Sequence, residues 1–135
     1  MYLEGAYVYG NWATATITLD NLANASIATS AAVNFAGAFG IEVESVISGT
    51  AAATAYLNVA VERVGSDGVT ASAYENAAVS KPQFFSATPN VFVRYFEGPF
   101  AIVKFAVENK TGAALSVVGN TLKYRTVTPR NTVTA

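Results

Sequence analysis

The chain has 135 residues, 52% hydrophobic and only 13% charged, with a formal net charge of −1 and neither histidine nor cysteine. A chain of that length forms one domain and buries roughly two thirds of the surface its unfolded form exposes. Its eight scattered Lys and Arg exclude a patch that tracks phosphates, no apolar run is long enough to span a membrane, and the missing His and Cys exclude imidazole or thiol catalysis and the usual zinc ligands.

The elements follow in chain order. Met1 to Trp12 carries Tyr2, Tyr7, Tyr9 and Trp12 among glycines, with no basic n-region or continuous apolar h-region, so it reads as an N-terminal arm and not a secretory signal. Its aromatics either cap one end of the core or contact a partner. Ala13 to Leu19 is a Thr-rich strand, "DNLANAS" a turn, and Ile27 to Phe35 a further strand.

From Phe39 to Ser48 the period is two: Phe39, Ile41, Val43 and Ile47 share one face, Glu42 and Glu44 the other. Ala55 to Arg63 alternates likewise, with Leu57, Val59 and Val61 opposite Tyr56, Asn58 and Glu62. The small-residue loop "SGTAAAT" joins the two as an antiparallel pair.

Asp67-Gly68 is a turn signal, and a short strand falls near Glu75 to Val79. Pro82 and Pro89 bracket a loop or edge segment. Val91 to Phe96 is a strand, Gly98-Pro99 breaks the chain, and Phe100 to Glu108 is the strongest strand of all. Val103, Phe105 and Val107 line one of its faces, and Phe100, Ile102 and Lys104 the other. Apolar on both sides at its start, it is expected to be central or to contact a partner through Phe96, Phe100 and Ile102.

Asn109 and Gly112 close the next turn. Leu115 to Val118 and Thr121 to Val127 form a hairpin about Gly119-Asn120, and Thr128 to Ala135 is a polar tail. Gly68, Gly112 and Gly119 are thus the structural turn residues. The pattern predicts an all-β, antiparallel sandwich of jelly-roll type, with an arm at 1–12, a domain at 13–127 and a tail at 128–135, and no helix longer than two turns.

Candidate chemistry is sparse. Glu42 and Glu44 sit about 6–7 Å apart on one strand face. That suits paired carboxylate hydrolysis only if one is buried and protonated, and a solvated face ionises both. Asp20 and Asp67 are too far apart in sequence for a calcium loop. Ser80-Lys81 is a weak nucleophile pair. The triplets Asn24-Ala25-Ser26 and Asn109-Lys110-Thr111 match the glycosylation pattern by chance. The expectation is no enzyme, no cofactor and no metal.

Several motifs carry a resemblance. "LANAS" (Leu22 to Ser26), "SDGVTA", "GPFAIVKFAVENKTGAAL" and "VVGNTLKYR" resemble a group of small virion proteins of tailed bacteriophages, over roughly Ala13 to Val127. The match includes the N-x-TG-AAL turn at Asn109, Thr111, Gly112, Ala113, Ala114 and Leu115. The resemblance implies a β-sandwich that assembles on the virion, often as a capsid decoration or cement protein. The expected place is the phage head surface after synthesis in the host cytoplasm. The expected partner is the major capsid protein or another virion protein.

With few charges to cover a free surface, a homo-oligomer is expected, a trimer before a dimer. The expected contacts are Tyr2, Tyr7, Tyr9, Trp12, Phe96, Phe100 and Ile102, with no nucleic acid or membrane involved. The alternative is a head-fibre, tail or carbohydrate-binding module, with Tyr56, Tyr74 or Phe92 stacking on sugar rings.

Overall fold

A computed structural model of the chain describes residues 2–48, 56–74, 77–79, 83–84 and 90–133. It is nearly all β, with no α-helix among the described residues. Nine strands join one antiparallel sheet: β1 Tyr2–Tyr9, β2 Ala13–Thr14, β3 Ile27–Thr29, β4 Val33–Ile47, β5 Tyr56–Arg63, β6 Ala78–Val79, β7 Gln83–Phe84, β8 Asn90–Lys110 and β9 Thr121–Val133. The main path runs β1-β9-β4-β8-β5-β6.

The 21-residue β8 organises the fold. Its first half pairs with Gly40–Ile47 of β4, and its second half pairs with β5 on one side and with β3 on the other. One continuous strand therefore serves two layers, β1-β9-β4-β8 and β3-β8-β5. The expected break at Gly98-Pro99 is instead a cis peptide inside β8. Buried positions switch there from even (Phe96, Phe100) to odd (Val103, Phe105, Val107). β4 bends beside it, with register shifts between Asn34 and Gly40 and positive φ at Ala36 and Gly37. Such irregularities are how a strand turns a sheet corner.

The layers close on an apolar core. Phe105 of one layer stacks on Tyr124 of the other, with centroids 5.3 Å apart, and Phe35 meets Phe105 edge-on at 6.1 Å. Ile41, Val43, Ile47, Leu57, Val59, Val61 and Leu122 fill the space around them. The sandwich-like all-β class expected from alternation is the observed one.

Local differences have local causes. Only Ala13–Thr14 of the Thr-rich segment is strand. Ile27 to Phe35 divides at Ser30, whose hydroxyl accepts from the Phe105 amide at 2.8 Å. Leu115 to Val118 is no strand, because its backbone pairs elsewhere: Leu115 donates to Leu22, and Ser116 accepts from Asn21. The Asn120 side chain then fastens this loop to Asp20 and Ser48. Gly68, Gly112 and Gly119 all have positive φ, as their turns require. The segments expected as arms are extended and pair with one another, β1 against Val127–Val133.

Candidate functional site

The outer face of the β1-β9-β4-β8 layer gathers Tyr7, Tyr9, Trp12 and Tyr95, four of the exposed aromatics among the described residues. Register sets its rows. Glu42 lies opposite both Tyr95 and Arg125, Gly40 lies opposite Val127, and Val127 lies opposite Tyr9. Tyr7, Tyr9, Glu42, Tyr95 and Val127 line an open groove of about 230 Å³.

Arg125 is its anchor. Its Nε donates to Glu42 Oε1 at 2.8 Å, and its Nη2 lies 2.7 Å from the same oxygen. Its guanidinium carbon sits 4.2 Å from the Tyr9 ring centroid and 4.4 Å from that of Trp12. Both partners are largely covered, so this pair is better shielded from water than an exposed ion pair.

Tyr95 lies over Gly40. A Cβ on Gly40 would come within 2.6 Å of two Tyr95 ring carbons and would strike the phenol oxygen. Only glycine lets that ring lie across β4. Partial desolvation, then the Glu97 carboxylate and Tyr7, push the Tyr95 phenol above its ordinary pKa, so its hydroxyl stays protonated at neutral pH.

Val91 and Val93 continue the face along β8 and are 54% and 41% exposed. Among the described residues no strand pairs with this edge of β8 between Asn90 and Pro99. Two of its carbonyls accept from arginines: Val93 from Arg94 Nη1 at 3.1 Å, and Pro99 from Arg63 Nη1 at 2.7 Å. Charge laid along an edge in this way blunts strand addition.

Of the residues expected to contact a partner, Tyr7, Tyr9 and Trp12 are exposed on this face, and Tyr2 is described by its backbone alone. Phe96 and Phe100 are corrected: they are 6% and 0% exposed core residues, turned inward where β8 bends. Ile102 is half-buried. The expected sugar platforms are engaged elsewhere. Tyr74 donates to Glu108 at 3.2 Å, Phe92 packs on the core, and Tyr56 is half-buried. Glu42 serves Arg125, while Glu44 lies opposite Lys123. No group of three or more acidic side chains able to hold a metal forms among the described residues. Ser80-Lys81 lies outside the described residues.

Gly40, Tyr95 and Arg125 carry the groove, and the motif reading passes over them. Their one signal is charge on alternate residues: Glu42 and Glu44 on one strand match Lys123 and Arg125 on another. No protein-family model matches the chain, and no curated protein does.

Proposed function

We propose that the chain is a structural, non-enzymatic protein of a tailed-phage virion that decorates the head shell. It binds the major capsid protein or another virion protein as a homo-oligomer. The observation that supports this is the pair Val91 and Val93, exposed side by side along an edge strand. Contiguous apolar surface of this kind marks interaction sites. The arginines on the neighbouring carbonyls disfavour strand addition, so docking proceeds through side chains. The motif resemblance supplies the virion context, and the low charge supplies the economy of a surface covered by neighbours.

The test is a pull-down on particles that lack the protein. The double change Val91→Asp and Val93→Asp should abolish co-sedimentation and leave the circular dichroism spectrum unchanged, since both side chains face solvent. Undiminished particle binding by that variant would remove this face from the reading, and a wild-type chain that never sediments with particles would end the shell reading itself.

A further inference from the structure

We infer that the groove between Tyr7, Tyr9 and Tyr95, floored by Glu42 and Val127, is a binding site for one ring of a neutral saccharide. This goes beyond shell decoration and does not rest on it.

The groove is built rather than incidental. Gly40 lets the Tyr95 ring lie across β4, and any Cβ there would lift it. Two rings and a carboxylate hold Arg125, and Arg125 in turn holds Glu42 by a single oxygen, Oε1. Among the described residues no partner engages Glu42 Oε2, which is left to accept from a ligand hydroxyl. A site fixed before binding avoids the ordering cost that weakens association.

The chemistry selects among ligands. Tyr7, Tyr9 and Tyr95 are 55%, 49% and 47% exposed, so aromatic surface and three phenol hydroxyls are offered together. A sugar ring has the matching pair of features: C–H faces to lie on aromatic rings, and hydroxyls that both donate and accept. A cation is disfavoured, because Arg125 already occupies the faces of Tyr9 and Trp12 and neutralises Glu42. An anion is disfavoured by Glu97, whose charge reaches Tyr95. A hydrocarbon would strip water from the phenols and the carboxylate without replacing their hydrogen bonds. At about 230 Å³ the groove is smaller than ordinary small-molecule pockets, which begin at roughly 300 Å³, so it suits a single ring at a chain end.

The test is ¹H–¹⁵N NMR titration of the full chain with glucose-, galactose-, rhamnose- and N-acetylglucosamine-terminated oligosaccharides. Tetramethylammonium, inorganic phosphate and a proline-rich peptide serve as comparators. At least one saccharide should move the amides of Gly40, Glu42, Tyr95 and Val127 and leave those of β5 in place. Tyr95→Ala should weaken that binding about three- to tenfold, the scale of a lost stacking contact. Tyr95→Phe should keep most of it, and Val117→Asp, at a 64% exposed loop position, all of it. Tyr7→Ala, made from an exposed residue, gives a second reading should Tyr95→Ala unfold. Silence of the groove amides toward every saccharide overturns the inference. So does binding of a comparator there in place of a sugar, or saccharide binding unmoved by both tyrosine changes.

Discussion

Asn109 donates its Nδ2 to the carbonyl of Leu22 at 2.9 Å, across 87 residues of chain. The same nitrogen reaches the Ala113 carbonyl at 2.8 Å, and Oδ1 accepts from the Thr111 amide and hydroxyl at 2.9 and 2.7 Å. Around it the backbones of Asn109, Ala25 and Ser26 bond to one another, and Asn24 accepts from the Gly112 amide at 2.9 Å. The "LANAS" and "NKTGAAL" stretches are therefore two halves of one clasp.

Asn109→Ala is expected to remove the side-chain bonds that tie Leu22, Thr111 and Ala113 together, although the Leu22 carbonyl keeps the Leu115 amide and the Ala113 carbonyl keeps the Thr111 hydroxyl. Asn109 is 0% exposed, so no water replaces the lost donor at that position. The loss should be about 1–2 kcal/mol, the net worth of the side-chain hydrogen bonds removed. Urea unfolding reads it directly, and a midpoint equal to that of wild type would make the clasp ornamental.

Glu62 predicts a pH dependence. Burial raises its pKa above 4.5, and Lys104 offsets this in part. The folded chain therefore resists its ionisation. The penalty is absent below the unfolded value and grows as pH rises through the higher folded value. Glu62→Gln should stabilise the protein at neutral pH, with the gain shrinking toward zero near about pH 4. Denaturation at both pH values is the measurement, and a gain independent of pH would contradict the account.

Asp67 predicts the opposite sign. The Thr70 hydroxyl, then the amides of Val69 and Thr70, hold its carboxyl down to about 2. Its contribution is present above the ordinary value of 3.8 and is lost as pH falls from there toward about 2. Asp67→Asn should unfold with less acid dependence across that window. An acid limb identical to wild type would remove Asp67 from it.

The fold class was legible because alternation is local. Ile41, Val43, Leu57, Val59 and Val61 point inward because a strand has period two, wherever its partners lie. The turns at Gly68 and Gly112 were legible for the same reason. What alternation does not carry is the change of face along β8. Phe100 and Ile102 share a parity and read as one surface, yet Phe100 is buried and Ile102 half-buried, because the strand bends between layers. Nor does it carry long pairings. Arg125 and Glu42 are 83 residues apart, so the groove beside their pair exists only once β9 has met β4.

Gly40 and Tyr95 form the last test, since each explains the other. Gly40→Ala should cost about 1 kcal/mol or less, below core overpacking, because the added Cβ meets the far end of the half-exposed Tyr95 ring, which can swing aside. With Tyr95→Ala in place the obstruction is gone, and the same change should become neutral or mildly stabilising, since Ala restricts the unfolded chain more than Gly does. The two changes should thus couple by about 0.5 kcal/mol or more in a double-mutant cycle. Gly40→Ala alone should also weaken saccharide binding, because it tilts the Tyr95 ring while every aromatic residue remains. Additive stabilities would mean that Tyr95 does not rest on Gly40, and the preformed groove would then lose its floor.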